Sequence, residues 1–341
     1  MKKQLLKNFS YTTIIIAITQ VWACTNNPTP DSSINDQALW EKASIYLQAL
    51  PEKDSMPLSE KKQAVIALGK KLFFDKNLSI NRNQSCNSCH KLSTYGVDNL
   101  MFSEGSNSDL GTRNTPTVFN ACEQYAQFWD ARASDLEAQA SVPLFNKHEM
   151  GMSTPAFLIK RLQEDASYAT SFTVAFPDTI PNMNLENIVS ALASFENELI
   201  TPSRFDDYLR GNLKALSTNE KNGLDLFIDA GCIPCHGGST IGGQLPQLFP
   251  LYGQLSDYIP LADTDTLNSS GKMLLKVPSL RNVAKTAPYF HNGSVNSLFD
   301  AVDIMAKSQT NTALSTEDIA DITAFLEALT GEIPAIALDN Y

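Results

Sequence analysis

Two strings carry the chemistry of this chain: Cys86-Asn-Ser-Cys89-His90 and Cys232-Ile-Pro-Cys235-His236. The C-x-x-C-H spacing is the attachment signature of c-type haem. Two thioethers fix the porphyrin to one short turn, and the adjacent His is aimed at the iron as proximal ligand. One copy could be chance or a redox pair; two copies point to two haems. The competing readings are two disulfides or a four-Cys zinc site. Zinc is disfavoured because the pairs stand far apart in the chain and each has its own trailing His.

The elements that must position these turns read as helices. Gln37–Leu50, Ser59–Phe74, Leu185–Ile200 and Glu317–Leu329 carry apolar residues at helical spacing. Ser315, with Asp318 three residues on, predicts a capped start for the last of them, and Gly331 a stop. No set of alternating strands is visible. Leu72-Phe73-Phe74-Asp75 before the first haem string echoes Leu226-Phe227-Ile228-Asp229 before the second. This weak repeat suggests two similar haem units. The expected fold is all-α: two cytochrome-c-like haem domains, residues 37–200 and 201–341, meeting near Thr201-Pro202-Ser203. The first has an inserted loop-rich region, since the stretch between the strings exceeds what a small cytochrome needs.

Two cysteines remain. Lys2, Lys3 and Lys7, then Ile14 to Ile18, then Val21-Trp22-Ala23-Cys24, resemble a lipoprotein signal peptide over residues 1–24, with Cys24 acylated. An ordinary secretory signal is the alternative. Residues 25–36 follow as a polar tether. Either version places the folded part outside the cytoplasm. The expectation is a periplasmic protein held to a membrane by its N-terminal lipid. Cys122 is expected to be a small buried apolar residue.

The axial ligands separate the haems. The chain has only four His: 90, 148, 236 and 291. His90 and His236 are the proximal ligands. In the second unit the only Met are Met273 and Met305. Met305 stands where small c-type cytochromes carry their distal Met; Met273 is too near the haem string. His236/Met305 would close that iron as a high-potential electron-transfer haem. The alternative is a core methionine at 305. Between Lys91 and Arg113 there is no His, and Met101 lies in a polar loop. The first iron therefore has no obvious sixth ligand, and an open iron can do chemistry.

From about Leu68 to Gly331 the chain resembles the bacterial di-haem cytochrome c peroxidases. The resemblance rests on Leu68-Gly-Lys-Lys-Leu-Phe-Phe-Asp75, Arg113-Asn-Thr-Pro-Thr-Val-Phe-Asn120, Phe128-Trp-Asp-Ala-Arg-Ala133, Val277-Pro-Ser-Leu-Arg-Asn-Val283 and Thr286-Ala-Pro-Tyr-Phe-His291. It implies a peroxidatic N-terminal haem on Cys86, Cys89 and His90. It also implies a C-terminal relay haem on Cys232, Cys235, His236 and Met305. Trp129 matches the aromatic residue between the haems; alone it would read as a core Trp. Gln139 and Glu149 match the peroxide pocket; alone they would read as a polar helix face. Asn114, Thr286 and Pro288 match a calcium site, oxygen ligands suiting that ion; alone they would read as turn chemistry.

On this resemblance Glu149 is the acid/base for splitting hydrogen peroxide, an effect on the order of 100- to 10,000-fold. Gln139 orients the peroxide. A small cytochrome c or a cupredoxin supplies electrons, and a homodimer is within the family's habits. One departure matters. Many members carry a capping His in the loop after the first haem string, whereas here the loop runs Met101 to Gly111 with Ser106 near that position. The first haem is therefore expected to be five-coordinate or water-bound even when oxidised. His148 is the only substitute, and His291 is expected to be an interface residue rather than a ligand.

Composition agrees with a packed globular chain: 341 residues, 43% hydrophobic, 18% charged. The formal net charge of −11 argues against nucleic acid and permits a cationic protein partner. Two other functions stay open: a di-haem oxidase acting on a protein, whose branch carries Tyr where Met305 stands, and a non-enzymatic electron carrier.

Overall fold

The computed structural model describes residues 35–52, 57–261 and 265–338. The signal, Cys24 and nearly all of the tether lie outside the described residues. The helices are α1 (Asp36–Ser44), α2 (Glu60–Phe74), α3 (Cys86–Cys89), α4 (Leu136–Phe145), α5 (Pro155–Leu162), α6 (Ala166–Ala175), α7 (Leu185–Glu196), α8 (Arg204–Leu209), α9 (Thr218–Asp229), α10 (Leu298–Met305), α11 (Thr316–Glu327) and α12 (Ala335–Leu338). One small antiparallel sheet accompanies them, β1 (Pro246–Phe249) on β2 (Met273–Lys276), with Phe249 opposite Met273. Four-residue strands leave no period-2 pattern, so the sequence does not announce them. Met273 is a buried core residue of that sheet. Among the described residues no helix is long and apolar enough to cross a membrane.

Local chemistry explains the helix limits. Ser59 caps α2 by accepting from the Lys62 amide, and Ser315 and Asp318 form the reciprocal capping box of α11. α1 ends six residues before the expected Leu50. Leu47 is drawn into a bridge with Gly238, and the Leu50 amide donates to Asp206 Oδ1 at 2.7 Å. α7 ends at Glu196, where Asn197 turns its backbone amide to the Ala193 carbonyl.

Each half has its own core. α2 crosses α7 with Leu72, Phe73 and Phe195 fully buried, and α9 crosses α11 around Phe227 and Phe325. Full burial of such side chains stabilises by roughly 1.5–3 kcal/mol each. Both crossings depend on a glycine. A methyl at Gly69 would overlap the Ala191 carbonyl, and one at Gly223 the Asp321 carbonyl. The segment between α3 and α4 is loop with two short 3₁₀ turns, Leu92–Thr94 and Ala121–Glu123, where inserted material was expected.

The first and last described helices both cross the boundary expected at residue 201. α1 was assigned to the first unit, yet Leu39 and Ala43 share the core of Phe205 and Phe227. Lys42 reaches Asp225 and Asp229 at 2.6 Å each, and Trp40 Nε1 donates to the Leu209 carbonyl at 3.1 Å. In the other direction, Ala337 of α12 lies in the first core. Helical periodicity shows which face of α1 is apolar but not which half it covers.

The halves are joined at Thr201. Asn120 Nδ2 and Asn282 Nδ2 both donate to Thr201 Oγ1, at 2.7 and 2.8 Å. These asparagines begin equivalent stretches. Both have φ near +60°, both precede a 3₁₀ turn, and Phe128 and Phe290 both have φ 68°. The bridge Gln127–Ala133 recurs as Tyr289–Val295. At this constant offset Trp129 corresponds to His291.

Candidate haem and peroxide sites

The two C-x-x-C-H turns are built alike. The His90 amide donates to the Cys86 carbonyl and the His236 amide to the Cys232 carbonyl, both at 2.9 Å. Each imidazole then places Nδ1 beside a backbone carbonyl: His90 at 3.3 Å from Gly96 O, His236 at 3.2 Å from Ile241 O. A carbonyl only accepts, so Nδ1 carries the proton and Nε2 keeps a lone pair for iron. Burial lowers the pKa of both rings, His236 to about 4, which holds them neutral as a metal ligand requires. The four cysteines of the turns form no disulfide. Burial pushes the Cys89 thiol up to about 11 and Cys232 up to about 12.

An apolar cavity of about 1250 Å³, including its open mouth, lies against the second turn. Cys232, Cys235 and His236 form one wall, and Met305 lines the same space. Met305 is the last residue of α10, where the helix passes into the π-helical turn Ala306–Thr310. Such widened turns are frequent at functional sites. Two thiols, a neutral imidazole, a thioether and apolar walls fit a c-type haem.

Around the first turn the structure gathers different groups. Burial first, and then the charges of Asp98 and Glu149, raise the pKa of the Cys89 thiol, so the Glu149 carboxylate lies within electrostatic range of this turn. Glu149 is half-buried. Burial pushes its own carboxyl upward, while a 2.6 Å hydrogen bond from Asn146 Nδ2 to Oε1 and the charge of Arg132 pull it down. Gln139 is half-buried on α4, with no hydrogen bond to its side-chain amide among the described residues.

The loop Met101–Gly111 is fastened to the Glu149 segment. The Ser106 amide donates to the Glu149 carbonyl at 2.6 Å, and a methyl at Gly105 would overlap the His148 carbonyl. Ser106 itself is 2% exposed. Its hydroxyl donates to Asn83 Oδ1 at 2.7 Å and accepts from the Asn81 amide at 3.1 Å. His148 turns outward, with Nδ1 3.5 Å from Asp109 Oδ2 and the side chain 41% exposed.

Trp129 and a second cavity lie between the halves. The Trp129 side chain lines both cavities, and its Nε1 donates to the Asn114 carbonyl at 2.8 Å. Asn114, Thr286 and Pro288 line this second cavity of about 700 Å³. Asn114 Nδ2 donates to the Leu100 carbonyl at 2.9 Å, which leaves Oδ1 as its oxygen donor. His291 is buried. Its Nε2 meets Asp265 Oδ1 at 2.9 Å, and its Nδ1 has no hydrogen-bond partner among the described residues. Cys122 packs with Ala121, Leu136 and Ala193 but is only half-buried, less enclosed than expected.

Several residues of these sites are not signalled in the sequence. Asn146 and Lys276 act through single side-chain contacts that no motif marks. The Asn120/Asn282 pair could have been found from the constant offset linking the Phe-Asn and Arg-Asn motifs.

Residues 63–214 match the family model described as di-haem cytochrome c peroxidase, and residues 220–330 match cytochrome c. The cytochrome c551 peroxidase of Pseudomonas aeruginosa is 41% identical over 309 residues, spanning 88% of each chain. That of Nitrosomonas europaea is 36% identical over 309 residues, 90% of this chain and 92% of its own. The crystal structure of a MauG-like protein associated with microbial copper homeostasis aligns with TM-score 0.72 at 28% identity, over 84% of this chain and 93% of that one. A mostly helical chain with two haem-binding turns and a carboxylate beside one of them defines a di-haem redox enzyme. The chain belongs to the di-haem cytochrome c peroxidase family, and its cofactors are two c-type haems.

Proposed function

We propose that the protein reduces hydrogen peroxide to water at the N-terminal haem, with electrons relayed from the C-terminal haem. The observation that carries this reading is the asymmetry of the two turns. His236 and Met305 line one cavity, whereas the first turn has the Glu149 carboxylate within electrostatic range of Cys89, and the loop that could have brought a capping His instead buries Ser106. When bound, the haems supply an open iron for peroxide and a closed one for electron storage. The chain's residues do the rest. Glu149 takes the proton from one peroxide oxygen and returns it to the departing one. Asn146 holds the carboxylate in place through Oε1. Gln139 offers its amide to the bound peroxide.

The donor is a reduced small c-type cytochrome or a cupredoxin; the chain's likeness to cytochrome c551 peroxidases favours the cytochrome. Calcium would be held by Asn114 Oδ1 and the carbonyls of Thr286 and Pro288, three residues lining one cavity. The basic n-region and Cys24 support a periplasmic lipoprotein. A protein-oxidising role is the second reading, favoured by the MauG-like structural relative and opposed by Met at position 305. The test is peroxide consumption with reduced cytochrome c in the wild type and Glu149→Gln. Loss of roughly 100- to 10,000-fold with both haems retained supports the proposal. Equal turnover removes Glu149 from the mechanism, and an inactive wild type removes the peroxidase reading.

A further inference from the structure

Lys276 ends β2 and lines the wall shared by the two cavities. The residue is 8% exposed. Its amide donates to the Trp129 carbonyl at 2.7 Å, and Nζ donates to Gln124 Oε1. No carboxylate pairs with it among the described residues: burial alone perturbs the amine, lowering it to about 8. A buried ammonium without an anion is strongly unfavourable, and natural chains keep one where an anion completes it. Gln124 is neutral and satisfies one of three N–H donors. The chain therefore carries a cation whose counter-ion is not one of its own described side chains.

The surrounding space indicates where the anion comes from. Lys276 shares its cavity with Cys232, Cys235, His236 and Met305, the residues read above as holding the C-terminal haem. The rest of that cavity is overwhelmingly apolar, lined by residues such as Phe227, Leu248 and Leu298. A c-type haem bears two propionates, and their carboxylates need cationic or hydrogen-bonding partners where they meet the protein. We infer that Lys276 is the internal counter-ion of a C-terminal haem propionate, a positioning residue that fixes that haem edge against Trp129. The inference rests on the His236/Met305 reading. A fixed positive charge near the iron favours Fe(II), so Lys276 also raises the potential of the haem that receives electrons.

The test uses purified holoprotein with haem content measured in each sample. Potentiometric titration, EPR and redox-difference infrared spectra of the propionate carboxylates are recorded for wild type, Lys276→Gln, Lys276→Met and Lys276→Arg. Gln keeps a donor for Gln124 without the charge, so the assay survives if the Met variant loads haem poorly. In the Gln variant the reduction equilibrium of the C-terminal haem is expected to move about tenfold toward Fe(III), which is about 59 mV for one electron. Its His/Met signature and the N-terminal couple stay unchanged, propionate bands shift, and Arg restores the potential. A shift confined to the N-terminal couple assigns the lysine to that haem's propionate and overturns the inference. No shift in either couple overturns it as well. A wild type without a His/Met signature defeats the ligand reading beneath it, a separate failure visible before any variant is compared.

Discussion

Trp129 and His291 meet edge to face, ring centroids 6.4 Å apart and planes at 74°. They occupy equivalent positions in the two halves, and Asn114 lies between them. The Asn114 amide donates to the His291 carbonyl at 2.8 Å, and the Asn114 carbonyl accepts from Trp129 Nε1 at 2.8 Å. The backbone of one residue, through two successive peptide units, thus clasps the central aromatic pair to the cavity that carries Thr286 and Pro288.

Removing the indole donor should loosen that clasp. Trp129→Phe keeps a ring but leaves the Asn114 carbonyl unpaired, a cost of about 1–3 kcal/mol. Trp129→Ala also opens space between the two cavities and should cost about 3–5 kcal/mol. Denaturant unfolding of the holoprotein reads both. Equal stability of all three proteins would show that the clasp contributes nothing.

If Glu149 is the acid/base proposed above, Asn146 tunes it. Its amide stabilises the ionised Glu149, so Asn146→Ala should raise the carboxyl pKa further above its already elevated position. Accepting a proton from peroxide requires the carboxylate, so activity falls as pH drops through that pKa. The acid limb of the peroxide-reduction profile should therefore move to higher pH in Asn146→Ala and vanish in Glu149→Gln. An unmoved limb in the alanine variant would assign the ionisation elsewhere.

Glu196 makes stability pH-dependent. Burial lifts its carboxyl to about 8, and it keeps a proton at neutral pH. The unfolded chain releases that proton near pH 4.5, so between the two values the native state binds more protons and stability falls as pH rises. The slope is up to about 1.4 kcal/mol per pH unit. Glu196→Gln should flatten the decline between pH 5 and 8 in denaturant titrations. A parallel decline in the variant would rule the residue out.

Much of this was readable before the fold. The haem turns follow from covalent spacing, and the capped starts of α2 and α11 follow from Ser59 and Ser315, because these signals are local. Met305, expected from its position to be the distal ligand, lines the same cavity as His236. What stayed hidden depends on partners distant in the chain. The face of α1 was visible but its attachment to Phe205 and Phe227 was not. The repeat around Asn120 and Asn282 is a repeat of backbone conformation, and substitutions such as Trp129 for His291 mask it. Lys276 carries no signal in the sequence; its burial without an anion among the described residues is visible only in the fold.

The proposed function requires one iron closed by the chain and the other left open on the Glu149 side. EPR of the fully oxidised protein tests it most directly. One low-spin His/Met signal and one high-spin signal are expected, the latter retained in Glu149→Gln. Two low-spin signals in the oxidised wild type would contradict it.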